Sequence, residues 1–502
     1  MSRYTAITPQ DLEAMLDAIG VGSLQELFDR QIPEAVRLGR ELELPQGSSE
    51  QEVYEHLRAL ASRNRSSEDE LSFLGAGMYD HYVPALIDML TERSEFLTPY
   101  TPYQPEISQG GLQVMFEYQT AISELTGLPV SNASTYEGPS AVAAAAYLAK
   151  LHNGRRRIVA SAGLHPHTLA TVRTYAHGYD MEVVEVPLRD GVTDVDAWAA
   201  AVDADTSAAI FAQPNFYGAI EDGAALAQAA KDADRRAGGD PAGSANGAAG
   251  ADRAGGAGGT SAGSGGDGAD GPVVIAQVDP MTLGILRSPG ECGVDVAVGE
   301  GQPLGNRLDF GGPSFGLFAA RERYLRRMPG RIAGETHDVD GRRGFVLTLQ
   351  TREQHIRREK ATSNICTAQA LNALAGVVYL TWLGRRGIVE LGELMLARTH
   401  YARETLTALP AVTAMHGQPV VRELALRVDA DVAAVRAHCI EHGVNAGADI
   451  EALTGRAEDR GGLLVAITER RSRADIDRLA EVLREAIAAA PAGAAQREKV
   501  PA

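Results

Sequence analysis

The sequence has few cysteines and no long apolar run. Its three cysteines, Cys292, Cys366 and Cys439, lie far apart. An odd, scattered set fits neither a disulfide framework nor a zinc knuckle. The longest apolar run, at 141–149, has nine residues, mostly alanine, whereas a membrane-spanning helix needs about 20. The first twelve residues lack the apolar core of a signal peptide. We therefore expect a cytoplasmic protein with no membrane role.

The charge balance is acidic, and lysine is scarce. The 502 residues carry a formal net charge of −19 and include four lysines, at positions 150, 231, 360 and 499. The sequence contains nothing that resembles a basic face able to displace phosphate counterions. Nucleic acid is therefore not an expected partner.

Apolar runs alternate with helical patterns between 157 and 236. Runs at 157–160, 181–186 and 208–213 are separated by helical stretches near 168–176 and from about 195, and another helix begins near 222. This alternation predicts right-handed crossovers and a mainly parallel sheet covered on both faces, which is an α/β fold. The stretch 238–271 contains almost only Gly, Ala, Ser and Asp, and we expect it to be a disordered insertion.

The expected domain organisation follows these changes in composition. The predicted parts are N-terminal helices with a Pro/Tyr arm (1–110), a large α/β domain (111–330), an Arg-rich segment with a connecting helix (331–400), a small C-terminal α/β domain (401–490) and a tail (491–502).

The stretch 273–318 is typical of the edge of an active site. Two apolar runs end in polar residues, at Asp279 and at Gly-Glu-Gly-Gln, and a third run follows at 315–318. In pyridoxal-phosphate enzymes on such a sheet, an acid after one strand pairs with the pyridine nitrogen, and a lysine after a later strand forms the Schiff base. Asp279 stands where the acid would be, but the lysine position is occupied by Gln302. An amide cannot form an imine, so we expect no covalent cofactor here, and Asp279 is interpreted as a relic.

Two further segments are candidates for function. The first is a stiff, proline-rich arm at 98–110, in which three prolines exclude a helix through 98–106. Its candidate residues at an active-site edge are Tyr100, Thr101, Tyr103 and Gln104.

The second candidate segment is a concentrated cationic patch followed by small polar residues at 347–367. Its candidate residues at a subunit interface are Arg352, His355, Arg358, Lys360, Thr362, Ser363 and Asn364.

Two other motifs are interpreted as structural. His165 and His167, in H-P-H, supply two ligands with no acid or cysteine pattern beside them, so satisfied structural histidines are expected and no metal. The segment 132–140 opens a helix as a phosphate cradle would. However, Glu137 would repel phosphate and Pro139 removes an amide donor. The segment is therefore interpreted as a relic of a cradle.

With the arm, the segment R-E-Q-H-I-R-R-E-K-A-T-S-N-I-C-T and V-G-E-G-Q-P-L-G in view, the chain resembles the P-protein family of the glycine cleavage system, glycine dehydrogenase (decarboxylating). The resemblance is to subunit 1 of the two-subunit form. It covers about 5–489 and implies an aminotransferase-like fold, pyridoxal phosphate fold type I. It also implies pyridoxal phosphate on a homologous subunit 2, with two copies of each chain.

The resemblance further implies decarboxylation of glycine and transfer of the aminomethyl group to the lipoyl arm of H-protein. The arm at 100–104 would lie at the pocket edge and the segment 352–364 at the subunit interface. H-protein of this system is commonly acidic, so the basic region 321–358, including Arg326 and Arg327, is the predicted docking surface. Two alternatives stay open: a self-sufficient pyridoxal-phosphate enzyme that uses Lys360, and a non-catalytic scaffold.

Overall fold

The computed structural model describes residues 6–237, 271–309, 312 and 314–490. The predicted insertion, apart from Gly271, and the predicted tail lie outside these residues. Contacts divide the chain into two units, Met1–Arg65 and Ser66–Ala502. Within the second unit, Leu71 and Ser72 pair with Val444 and Asn445.

The α-helices are α1 (Pro9–Ile19), α2 (Leu24–Gln31), α3 (Glu50–Ala61), α4 (Ala85–Thr91), α5 (Ser94–Leu97), α6 (Gln109–Thr126), α7 (Gly138–Asn153), α8 (Pro166–Gly178), α9 (Val195–Ala201), α10 (Gly223–Arg236), α11 (Gln354–Arg357), α12 (Ala370–Thr407), α13 (Val432–Glu441), α14 (Ile450–Thr454) and α15 (Arg473–Ala489). The strands are β1 (Leu71–Ser72), β2 (Val130–Ser131), β3 (Arg157–Ser161), β4 (Glu182–Val186), β5 (Leu188–Arg189), β6 (Val192–Thr193), β7 (Thr206–Gln213), β8 (Val273–Val278), β9 (Val296–Glu300), β10 (Gly316–Ala320), β11 (Ile332–His337), β12 (Arg343–Thr348), β13 (Val412–Ala414), β14 (Glu423–Val428), β15 (Val444–Asn445), β16 (Ala448–Asp449) and β17 (Gly462–Ala466). No helix in these described ranges is long and apolar enough to cross a membrane.

The first unit contains the helices α1, α2 and α3. Ser49 caps α3, and Glu52 bonds back to the Ser49 amide, which forms a complete capping box. Ser23 caps α2, but Glu26 accepts from the amide of Gly22 instead of that of Ser23. None of the three helices has a buried residue. This unit therefore has little core of its own.

The second unit is built on a seven-stranded sheet in the order β2-β10-β9-β8-β7-β3-β4. β4, β3, β7, β8 and β9 run parallel, and β10 runs antiparallel to β9 and β2. The mainly parallel α/β sheet expected from the sequence is confirmed. Alternate residues of β8 enter two different cores: Val274 and Ala276 pack with α6, α10 and α12, while Val273 and Ile275 pack with α7 and α8. Helices therefore cover both faces.

A smaller antiparallel sheet, β13-β14-β17-β16, lies near the C-terminus. The helices α13 and α15 pack on it around an apolar core. Ser472 caps α15, whose inner face buries Ile476, Leu479, Val482 and Leu483, as the periodicity predicts. The long helix α12 precedes this domain and is interrupted at Gly384, where φ is +62°.

Two local features differ from the prediction. The Arg-rich segment contains an antiparallel hairpin, β11–β12, which the sequence analysis missed although Asp340-Gly341 is a hairpin turn signal. A single 3-10 turn also begins at Pro105, inside the stretch predicted to exclude a helix. Proline is tolerated in the first turn of a helix, because the amide there has no intrahelical partner. The prediction was therefore wrong at 105–106.

Candidate functional site

A cavity of about 80 Å³ lies at the carboxyl ends of the central strands, where the large sheet meets β14 of the small domain. Ligands of open α/β sheets bind at this edge. Asp279 follows β8, and Glu300 ends β9, so adjacent parallel strands bring both carboxylates to the cavity. Other polar residues that line the cavity are Tyr79, His165, Asn215, Gln277, Arg422 and Glu423.

Asp279 forms a buried ion pair with Arg422 across the two domains. Asp279 Oδ2 lies 2.7 Å from Arg422 Nη2, and the side chains are 10% and 5% exposed. Burial alone would lower the pKa of Arg422, but the neighbouring Asp279, Tyr79 and Glu423 together outweigh this effect and raise the pKa. The guanidinium carbon lies 3.3 Å from the centre of the Tyr79 ring, which adds a cation–π contact. Asp279, which the sequence analysis interprets as a relic of a cofactor site, therefore has its charged partner within the chain.

Gln302 is fully buried and hydrogen-bonded. Its Oε1 accepts from the amide of Tyr79 at 3.0 Å, and its Nε2 donates to the carbonyls of Tyr79 and Asn306 at 3.1 and 2.7 Å. An amide side chain has two donors and one acceptor oxygen, and here all of them are used. Gln302 therefore fastens the segment around Tyr79 to the turn that follows β9.

The N-terminus of α7, the candidate phosphate cradle, is occupied by carboxylates. Glu137 caps the helix by accepting from the amide of Ser140, and Glu300 Oε2 accepts from the amide of Gly138 at 2.9 Å. Burial raises the pKa of Glu300 to about 7, against the lowering effect of the Gly138 amide. A Cβ at Gly138 would lie 3.0 Å from the backbone nitrogen of Glu300, so this close approach favours glycine. The amides of Gly138 and Ser140, which a phosphate would need, therefore already donate hydrogen bonds to carboxylates of this chain.

The segment 75–79 enters between the two domains and contacts β14. The hydroxyl of Tyr79 donates to Glu423 Oε2 at 2.7 Å, and the amide of Ala76 donates to Glu423 Oε1 at 2.7 Å. A Cβ at Gly75 would lie 2.5 Å from the Cβ of Ala466. The segment thus fits only because glycine stands at position 75.

His165 uses both ring nitrogens within the chain. Nε2 lies 2.8 Å from the carbonyl of Ala76, and Nδ1 accepts from the amide of His167 at 3.1 Å. Burial lowers the pKa of His165 to about 4, so the imidazole is neutral at physiological pH. Its ring packs edge-on against Phe216. These contacts agree with a structural histidine.

The Pro/Tyr arm lies against the segment that follows β12. The hydroxyl of Tyr100 lies 2.9 Å from that of Thr367, and the hydroxyl of Tyr103 accepts from Arg331 at 3.1 Å. Neither tyrosine lines the cavity, and the same holds for Thr101 and Gln104. The hydroxyls are therefore held on the surface of this chain, with Tyr100 75% exposed.

The cationic segment is only partly exposed. Arg352 is buried and donates to the backbone carbonyls of Met328, Gly330 and Leu349. This differs from the expected surface patch, because the chain's own fold uses this guanidinium. His355, Arg358 and Lys360 are exposed. Thr362, Ser363 and Asn364 line a second small cavity, together with Tyr136, Tyr147, Tyr175 and Tyr179.

The residues of the main cavity do not fit pyridoxal phosphate. Asp279 is paired with Arg422, and the amides at the start of α7 already donate to the carboxylates of Glu137 and Glu300. No lysine is among the described residues that line the cavity. A cofactor in this cavity would have to displace hydrogen bonds that the chain already makes, which leaves buried polar groups unpaired.

The sheet order and the cleft define an aminotransferase-like α/β protein. Glutamate decarboxylase of Lactobacillus brevis shares this fold, with a TM-score of 0.62, 14% identity and coverage of 89% of this chain and 95% of that one. A crystal structure titled glycine decarboxylase (P-protein) of the glycine cleavage system, in inhibitor-bound form, has a TM-score of 0.82 and 37% identity, and covers 97% of this chain and 100% of that one. The predicted fold class is confirmed.

The chain belongs to the glycine cleavage system P-protein family, whose model matches residues 2–237 and 269–483. The match is interrupted where the predicted insertion lies. The probable glycine dehydrogenase (decarboxylating) subunit 1 of Moorella thermoacetica is 45% identical over 97% of this chain and 100% of that protein. The protein of the same name in Carboxydothermus hydrogenoformans is 44% identical over 96% and 99%. The resemblance on which the sequence analysis rested is confirmed, and with it the enzyme family.

Proposed function

We propose that the chain is the cofactor-free subunit of a heteromeric glycine decarboxylase of the cytoplasm. A homologous subunit 2 would carry pyridoxal phosphate and the Schiff-base lysine, and two copies of each chain would form the enzyme. The single observation that supports the proposal is the set of hydrogen bonds that hold the buried side chain of Gln302 to Tyr79 and Asn306, at the position where we expect the Schiff-base lysine of a cofactor-bearing chain. The family and the names of the relatives support a role in glycine decarboxylation.

The proposed complex decarboxylates glycine and transfers the aminomethyl group to the lipoyl arm of H-protein. The surface formed by the Tyr100–Gln104 arm and the exposed part of the segment 355–364 is proposed to border the partner's site. The two hydroxyls of this arm are held by Thr367 and Arg331, so they are presented in fixed positions. Arg326 is exposed, and its neighbour Arg327 bonds to His152, so Arg326 is the better candidate for docking H-protein.

Co-expression with a candidate subunit 2 tests the proposal. The chain purified alone should show no internal-aldimine absorbance after incubation with pyridoxal phosphate. The complex should contain one cofactor for each pair of chains, and peptide mapping after borohydride reduction should find it on subunit 2 alone. A cofactor attached to this chain by itself would overturn the proposal.

The two alternatives predict other results. A self-sufficient enzyme requires an aldimine that is lost in Lys360→Ala, but Lys360 is exposed and does not line the cavity. A scaffold requires that Tyr100→Phe with Tyr103→Phe leaves turnover of the assembled complex unchanged. We expect the double variant to assemble and to lose turnover.

Arg326→Ala should weaken association with H-protein. Arg40→Ala, in the first unit, removes the same charge and provides the control.

A further inference from the structure

Two histidines and a glutamate lie together on the small domain, outside the cavity described above. His438 lies in the last turn of α13, and His442 is the C-cap residue directly after that helix. Glu485 lies on the neighbouring helix α15. One possible ligand atom from each side chain lies within 4.8 Å of the other two. The histidines are four residues apart, which places both rings on one side of the helix, and the ring centres are 4.2 Å apart.

The hydrogen bonds around the two rings leave nitrogen lone pairs available. His442 Nδ1 lies 2.8 Å from the carbonyl of His438 and donates to it, which assigns the free lone pair to Nε2. Metal-bound histidines commonly donate their other N–H to a backbone carbonyl in this way. His438 Nε2 is buried and has no hydrogen-bond partner among the residues that the structure describes. A buried nitrogen without a partner is unfavourable, and a bound ion would satisfy it.

We infer that His438, His442 and Glu485 form a binding site for a divalent transition-metal ion of the zinc class. Two imidazoles and a carboxylate are a donor set that Zn²⁺ accepts, with a fourth position open to water. Zinc–ligand bonds of about 2.0–2.1 Å place ligand atoms about 3.4 Å apart. The exposed side chains of His442 and Glu485 can close the remaining distance by rotation about their own bonds.

The ion would connect α13 to α15, the two helices that cover the small sheet. Cys439 lies between the two histidines in the sequence, but it is buried in the apolar core of the small domain and is not one of the three clustered ligands. Mg²⁺ and Ca²⁺ prefer all-oxygen ligands, so the site selects against them.

Zinc titration of the full chain, freed of metal with EDTA, tests this site. Calorimetry should find one Zn²⁺ per chain at this site, and Mg²⁺ should give no binding heat. His442→Ala and Glu485→Gln change exposed side chains, so both variants should fold, and each should weaken zinc binding by about tenfold or more. His400→Ala is the matched control, because His400 and Glu404 form an exposed two-ligand pair on α12.

Thermal unfolding gives a second measurement. Zn²⁺ should raise the unfolding midpoint of the wild type and of His400→Ala, and at the same zinc concentration it should raise that of His442→Ala by clearly less. Without metal, the three proteins should unfold at similar temperatures. The inference would be overturned if the wild type bound no zinc. It would also be overturned if His442→Ala and Glu485→Gln bound zinc as tightly as the wild type, since the ion would then be adventitious.

Discussion

The side-chain amide of Gln302 and the backbone of Tyr79 form a pair of hydrogen bonds, one in each direction, at 3.0 and 3.1 Å. The two residues are 223 positions apart in the sequence. A lysine ammonium donates but cannot accept, so it could not reproduce this pair. Gln302, the residue that we propose to stand in place of a Schiff-base lysine, therefore links the segment 75–79 to the turn that follows β9.

The variant Gln302→Lys should therefore lose stability and gain no cofactor. The Tyr79 amide would be left without an acceptor, and each unpaired buried group costs about 1–3 kcal/mol. Urea unfolding should show a loss of this size, and added pyridoxal phosphate should give no aldimine absorbance. Gln228→Lys adds the same charge at an exposed position of α10 and should leave stability nearly unchanged. A stable aldimine in Gln302→Lys would contradict this account.

The pair Asp279–Arg422 should show strong coupling in a double-mutant cycle. Removing one partner leaves a buried charge unpaired, which costs about 3–5 kcal/mol. Asp279→Ala with Arg422→Ala should therefore destabilise the chain by less than the sum of the two single variants. The measured quantity is the free energy of unfolding. The exposed pair Arg386–Glu390 is the control and should couple by less than about 0.5 kcal/mol. Additive effects at Asp279 and Arg422 would contradict the prediction.

The pKa of Glu300 predicts a stability that falls as the pH rises. Burial raises this pKa from 4.5 to about 7, so between these values the unfolded chain releases a proton that the folded chain keeps. The stabilisation is complete below about pH 4.5 and is lost as the pH passes through about 7, a change of about 3 kcal/mol. The free energy of unfolding measured across this range should decline less in Glu300→Gln than in the wild type, and the buried carboxyl groups of Glu221 and Glu423, whose pKa values are also raised, account for a remaining decline. Glu390→Gln, at an exposed position, should retain the decline.

The exposed cations of the segment 355–364 should contribute to association with subunit 2. Arg358→Ala with Lys360→Ala should slow association and reduce its dependence on salt, because exposed charges act mainly on the rate of encounter. Surface plasmon resonance at two salt concentrations measures both effects. Arg385→Ala with Arg386→Ala makes the same charge change on α12 and serves as the control. Equal association rates for the two double variants would contradict a role for this segment.

Much of the fold could be predicted from the sequence, because the strands of the large sheet are short apolar runs that alternate with helical patterns. The runs ending at Ala160, Val186 and Gln213 became β3, β4 and β7, since each is short, apolar and followed by a helical pattern. The hairpin β11–β12 was not predicted, because its strands contain polar and charged residues among the apolar ones and only the turn at Asp340-Gly341 indicates it.

The site was harder to predict, because its contacts join distant parts of the chain. The sequence indicated that Gln302 and Asp279 are unusual, but nothing near them indicates Tyr79 or Arg422 as partners. Glu300 was not predicted as a site residue, because in the sequence it is one residue of a glycine-rich turn. In the structure its carboxylate accepts a hydrogen bond from the amide of Gly138. Likewise, the spacing of His438 and His442 is visible in the sequence, whereas Glu485 comes from another helix.

The ion pair of Asp279 and Arg422 has a mechanical consequence. Many enzymes with two domains hinge open to admit a ligand and close around it. In this chain, the buried ion pair of Asp279 and Arg422 spans the cleft, and the ring of Tyr79 packs against the guanidinium of Arg422. Opening would expose both charges at once and break the bond between them. We therefore expect the two domains on either side of this cleft to keep their relative positions, so that the cleft does not open as a hinge.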